Sequence, residues 1–222
     1  MNDILSFVII PILCSGAVYW GLSFCWFLLD VFVAPKWRIP GGEHIDWTLY
    51  KKTARHVLKL HAVTPFVMYG MIPLWKFRGV DVGWESFFSL LTLLKGLSCP
   101  VFGEIVFYIG HRMGHIPLFY KSIHKKHHEW VVPCAVAASY ATFYEYLFCN
   151  LPVFLLPPLI VNLNWNAAQL WFIFATMNVV NDHSGYVILQ RSVYHANHHK
   201  YQKYNYSYPE LDGMFRNKIY GL

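Results

Sequence analysis

Charge is scarce in this chain. Only 14% of its 222 residues are Asp, Glu, Lys or Arg, where a soluble domain carries about 25%. With 56% apolar residues, the shortage excludes a disordered chain and argues against an ordinary soluble enzyme. Cysteine is also sparse. Cys14, Cys25, Cys99, Cys134 and Cys149 form an odd set without a CxxC pair. That argues against a disulfide framework and for reduced thiols facing a reducing compartment. Asn-Gly hairpin turns, repeats and low-complexity tracts are absent, and strand signals are weak. The C-terminal residues carry no prenylation box or retention signal.

Long apolar runs replace the missing charge. Residues 4–29 contain no charged side chain, and about 20 apolar residues suffice to cross a hydrocarbon core. No basic n-region or cleavage site precedes this run, so it reads as a retained first span. A polar stretch with six Lys and Arg follows from Pro35 to Lys59. Further apolar runs cover 60–75, 86–110 (broken by Lys95 and Pro100), 141–161 (with Pro152, Pro157 and Pro158) and 167–180. The last two suit a helical hairpin. The predicted fold is a single all-α domain over residues 1–222. It is an integral membrane bundle of about four to five spans with a His-rich metal-binding cap.

Charge also orients the bundle. Segments 34–59, 111–130 and 188–222 hold 15 of the 18 Lys and Arg. The positive-inside rule places them, and the cap, on the cytosolic side. The net charge of +6 thus reflects membrane topology, and no nucleic-acid partner is expected.

Histidine is the abundant ionisable residue, with 12 against 12 Asp and Glu combined. Nine lie within 111–199: His111 and His115; His124, His127 and His128; His183; His195, His198 and His199. The spacing His-x-x-His-His occurs twice, about 70 residues apart. Separations of three and four residues bring side chains to one helical neighbourhood, where imidazoles converge on a metal. Nine ligands exceed one metal's needs, so two metals share them. Imidazole suits Zn, Cu, Fe and Ni alike. His44, His56 and His61 stand alone and read as ordinary surface or hydrogen-bonded histidines. Glu104, within an apolar run and on one helix face with His111, and Asp182, beside His183, are the candidate catalytic carboxylates. Glu129 and Asp212 are weaker candidates for a supporting role.

The three boxes resemble those of the fatty acid hydroxylase/sterol desaturase superfamily, over roughly residues 86–216, with residues 1–85 as N-terminal spans and linker. Arg112, the segment Asn181-Asp182-His183-Ser184-Gly185-Tyr186 and the tail from Asn205-Tyr206 to Asp212-Gly213-Met214-Phe215 match further. His-Ser-Gly-Tyr after the last span looks most like the methylsterol oxidase and cholesterol hydroxylase branch. Leu211 departs from the Trp common in the family, and Val187 stands where fatty-acid hydroxylases can carry another His.

The resemblance implies a membrane-bound di-iron oxidase using two iron ions and O2. It would hydroxylate a C–H bond of a lipid, most of all a sterol, or else desaturate or hydroxylate a fatty-acyl or sphingoid lipid. It implies a separate electron donor such as cytochrome b5 with its reductase, and an endoplasmic reticulum membrane in a eukaryote. Lys121, Lys125, Lys126, Lys200 and Lys203 would dock an acidic donor or anchor the surface to lipid. The competing class is a His-rich metal transporter or metal-binding protein. A transporter would hold its ligands at the bilayer midplane, and these boxes lie outside the apolar runs.

Overall fold

A computed structural model describes residues 3–32 and 35–216. Lys218 and the C-terminal residues read for signals lie outside them. A π-helical turn, Leu5–Ile9, leads into α1 (Ile10–Phe32). Helices α2 (Trp47–His61) and α3 (Thr64–Phe77) are separated only by Ala62 and Val63. Helix α4 spans Leu90–Gly114, α5 Leu151–Ile160 and α6 Trp165–Asp182. Two further helices follow, α7 (Gln190–Tyr201) and α8 (Pro209–Met214). No strand forms among the described residues; an isolated bridge pairs Arg38 with Tyr186. The all-α expectation holds.

Four helical segments are long and apolar enough to cross a membrane: Leu5–Phe32, Trp47–Phe77, Leu90–Gly114 and Phe143–Ile160. On α4, Leu90, Leu94, Leu97, Val101 and Ile105 are all exposed. Their spacing of three and four makes a continuous apolar stripe, as a lipid-facing helix requires. Helix starts follow ordinary capping chemistry. The Asp46 carboxylate accepts from the Thr48 and Leu49 amides at 2.9 Å, and Ser89 and Asn164 cap α4 and α6 in the same way.

Contacts at the two ends define the topology. At one end Lys76 pairs with Asp3, and the Trp165 amide and indole donate to the Asp81 and Ser6 carbonyls at 2.7 and 3.0 Å. Phe7, Trp75 and Trp165 pack there, with Trp165 4.6 Å from both other rings. At the other end Arg38 reaches the Pro133 carbonyl at 3.0 Å, and Lys52 pairs with Glu129 at 2.7 Å. Successive elements α1, α2–α3, α4, α5 and α6 therefore alternate in direction between the two ends. The described parts of the three basic segments meet at the second end.

The structure refines the apolar runs. The basic stretch to Lys59 is not all linker: from Trp47 it is helix and continues through a bend into α3. The run 86–110 resolves into a four-residue turn, Trp84–Phe87, and the long α4. Lys95 within it turns to the Asn162 carbonyl at 2.9 Å. The anticipated hairpin is present in chain order, but α5 packs chiefly on α4, and α6 on α1. Pro152 sits in the first turn of its helix, where its missing N–H is harmless.

Candidate metal centre

The nine box histidines converge at the basic end of the bundle. His111 lies in the last turn of α4 and His115 just past it. His124 ends a π-helical turn, Tyr120–His124, and His127 and His128 open a 3-10 turn, His127–Glu129. His183 follows α6, and α7 carries His195, His198 and His199. They form two groups. His111, His115, His124, His128 and His198 make one; His127, His183, His195 and His199 make the other. Within each group the ligand atoms lie within 4.8 Å of one another.

Each His-x-x-His-His box is divided between the groups. The first and last histidines of a box share one group, and the middle one crosses to the other. Helix geometry gives the reason for α7. Residue i+4 lies about 40° around the axis from residue i, whereas i+3 lies about 60° the opposite way. The groups adjoin: the His128 and His199 rings are 4.7 Å apart, and those of His124 and His127 5.3 Å.

The nitrogens are placed for metal. His128 Nε2 lies 3.0 Å from His124 Nε2 and 3.2 Å from both His115 and His198 Nε2. In the second group His195 Nε2 lies 2.9 Å from His183 and 3.1 Å from His199. Two ligands about 2.0–2.1 Å from one metal and at right angles would lie about 3 Å apart.

The opposite ring nitrogens set the tautomers. Nδ1 of His111, His127, His183, His198 and His199 donates to the carbonyls of Tyr206, Tyr140, Val179, Tyr204 and Trp130. A carbonyl only accepts, so the proton is on Nδ1 and Nε2 presents a bare lone pair. His127 and His183 then face each other Nε2 to Nε2 at 3.4 Å with no proton between them. His111 Nε2 is buried with no hydrogen-bond partner among the described residues. A cation in each group would satisfy both arrangements. Burial pushes the imidazoles of His115 and His183 down to about 3 and His127 to about 4. The cluster is therefore neutral, the form that binds metal, at physiological pH.

Glu145 is the carboxylate that sequence reasoning passed over. Its Oε1 lies 2.6 Å from His124 Nδ1, and both side chains are buried. It sits inside the run read as apolar, 141–161, and its signal was the Thr142-Phe-Tyr-Glu145 capping pattern. Thr142 Oγ1 accepts from the Glu145 amide at 3.2 Å. Carboxylate support of a ligating imidazole is typically worth 10- to 100-fold in metal affinity. Glu145→Ala should therefore raise metal loss to a chelator by about that factor, measured as metal retained per chain. Unchanged retention would remove Glu145 from the centre.

Glu104 and Asp182 hydrogen-bond none of the nine histidines among the described residues. Glu104 Oε2 accepts from the Ser207 hydroxyl at 2.5 Å and the Tyr208 amide at 3.2 Å. Asp182 pairs with Arg191 at 2.5 Å, and Arg191 stacks 3.8 Å over the Tyr208 ring. Glu129 accepts from Lys52 and the Tyr140 hydroxyl, and Asp212 from the Ser207 amide and Tyr194 hydroxyl. His44 is exposed, and His56 bonds the Ala141 carbonyl at 2.7 Å.

Both groups open onto one cavity of about 340 Å³. His111 and His124 face it from the first group, and His127, His183 and His195 from the second. Glu104 and Asp182 line it too, beside aromatic walls that include Trp20, Phe107, Trp171 and Phe172. His61, read from sequence as an ordinary histidine, also lines this cavity.

The family model for fatty acid hydroxylase matches residues 96–217, which contain all nine histidines and Glu145. The chain is 34% identical to "Fatty acid hydroxylase ahd1" of Mycosarcoma maydis, over 85% of its own length and 52% of that protein. It is 29% identical to "Fatty acid hydroxylase domain-containing protein 2" of Macaca fascicularis, over 87% of its length and 60% of that protein. It is 26% identical to "Methylsterol monooxygenase 2-1" of Arabidopsis thaliana, over 78% and 61%. The chain thus spans between half and two thirds of these relatives. No solved structure matches it. The paired histidine groups and the matched region agree, and the chain belongs to the fatty acid hydroxylase family.

Proposed function

We propose that the protein is a membrane-bound di-iron oxidase that uses O2 to hydroxylate a C–H bond of a lipid, most of all one of sterol type. One observation carries the reading: two adjoining all-imidazole groups open onto a single apolar cavity. Iron held there would supply the O2-derived oxidising power that an unactivated C–H bond demands.

The chain's own residues do the rest. His111, His115, His124, His128 and His198 would hold one ion, and His127, His183, His195 and His199 the other. Buried carbonyls and Glu145 fix the ring orientations of six of the nine histidines, so those ligands need little reorganisation. The largely apolar cavity would hold the substrate against the histidines. Flat aromatic surfaces, among them Trp20 and Trp171, suit a rigid ring system. The names of two relatives, "Methylsterol monooxygenase 2-1" and "C-4 methylsterol oxidase", support the sterol choice. Desaturation by the same centre is the second reading, favoured by 28% identity to "Delta(7)-sterol 5(6)-desaturase" of Candida glabrata over 61% of the chain.

Electrons would come from a separate acidic donor such as cytochrome b5. Lys121, Lys125, Lys200 and Lys203 are exposed at the basic end, and a Tyr120–Gln202 hydrogen bond of 2.8 Å joins the two segments that carry them. By charge this end faces the cytosol, in the endoplasmic reticulum of a eukaryote. Transport is disfavoured, because eight of the nine histidines lie beyond the candidate spans.

The test supplies iron-loaded protein in vesicles with a lipid extract, a reductant and isotopically heavy O2. Lipids gaining one heavy oxygen atom support hydroxylation, and lipids losing two hydrogens support desaturation. Neither change in a protein holding two metals would overturn the proposal.

A further inference from the structure

His61 is a titratable group that the metal centre does not use. It ends α2 at the bend into α3 and faces the cavity shared by both histidine groups. Three rings fix its orientation. Tyr19 lies 4.6 Å away at 77°, Trp20 5.7 Å away at 75°, and Tyr146 6.0 Å away at 34°.

Neighbouring polar groups are already committed. The Tyr19 hydroxyl donates to the Val136 carbonyl at 3.0 Å and accepts from the Ser139 amide at 3.1 Å. Thr64 and Tyr146 hydroxyls bond each other at 2.7 Å. Elsewhere on the wall, Asp182 is paired with Arg191, and Glu104 with Ser207 and Tyr208. The His61 side chain has no such bond among the described residues. It belongs to neither metal group.

We propose that His61 is the recognition group for a free hydroxyl on the lipid that occupies this cavity. The proposal deepens the reading of the cavity as the lipid site and rests on it. A neutral imidazole offers one donor and one acceptor, and so does an alcohol. A carboxylate or phosphate would bring an unpaired charge to a wall whose partners here are rings and mutually bonded hydroxyls, at a large desolvation cost. An ester or ether could use the donor but would leave the acceptor unmatched. The inferred substrate class is therefore a neutral lipid alcohol, and a free fatty acid is a poor fit.

Lipids that co-purify with the metal-loaded protein from a total membrane extract, identified by mass spectrometry, test this without turnover. In the wild type, free alcohols should be enriched over acids, esters and hydrocarbons. His61→Phe should reduce that enrichment by about tenfold or more, the effect of one buried hydrogen bond, while metal content stays at the wild-type value. His61→Gln, which keeps a donor and an acceptor, should restore most of it.

A competition on the wild type alone guards against misfolded variants. The most enriched alcohol should displace itself at least tenfold better than its methyl ether does. Equal displacement, alcohols bound equally by His61→Phe, or a wild-type lipid set lacking alcohols would each overturn the proposal. Alcohol binding through His61 in a protein that never consumes O2 would instead overturn the oxidase reading and leave this one standing.

Discussion

His198→Ala should abolish turnover and reduce bound metal from about two to about one per chain. His198 Nε2 lies 3.1 Å from His115 and 3.2 Å from His128, at the heart of the five-histidine group. Removing it deletes a direct ligand, so the loss should exceed the 10- to 100-fold typical of a supporting residue. His127→Ala should do the same from the other group, because its Nε2 lies 3.4 Å from His183. Both variants should remain in the membrane, since neither side chain belongs to a candidate span. His44→Ala is the control, with activity and metal unchanged. Metal analysis with a lipid-oxidation assay reads all three. Full activity in either ligand variant would remove that residue from the centre.

Gly185→Ala should cost roughly 2–5 kcal/mol of stability, combining left-handed backbone strain with overpacking. Gly185 has φ +77°, and an added Cβ would lie 2.4 Å from the Pro133 carbonyl and 2.6 Å from Arg38 Nη2. Neither neighbour is free to move. Arg38 is buried, holding Asp30 at 2.5 Å and the Pro133 carbonyl at 3.0 Å. Tyr186 donates to the same Asp30 oxygen at 3.0 Å. This network ties α1 to the segment just after His183, so the damage should reach the second metal group as well as the fold. Gly70→Ala, where an added Cβ meets nothing within 4 Å, should be neutral. Thermal unfolding in detergent distinguishes the two. A Gly185→Ala midpoint equal to that of Gly70→Ala would contradict the packing described.

The clustering of the nine histidines was legible in the sequence because box spacing is a local property. All nine candidates enter the two groups. The partition was not legible. Helix geometry turns His198 away from its box neighbours, but which group His198 and His127 join depends on how α4, α6 and α7 meet, and no local pattern encodes that. Glu145 was hidden by averaging, since one carboxylate scarcely alters the hydropathy of residues 141–161. The Arg38–Asp30 pair was hidden differently. Eight residues separate its members, and only the fold shows that both are buried. His61 carries no spacing signal at all. Its placement comes from α1 and Tyr146 packing around the α2–α3 bend. Span number, by contrast, followed from length and charge.

The division of the nine histidines into two candidate metal sites, five ligands in one and four in the other, makes a direct demand on metal content. Elemental analysis of the purified protein, loaded with iron under reducing conditions, tests it most directly. The account predicts about two iron ions per chain, by the ligand count, falling to about one in His198→Ala and in His127→Ala. One metal per chain in the wild type, or none, would contradict it.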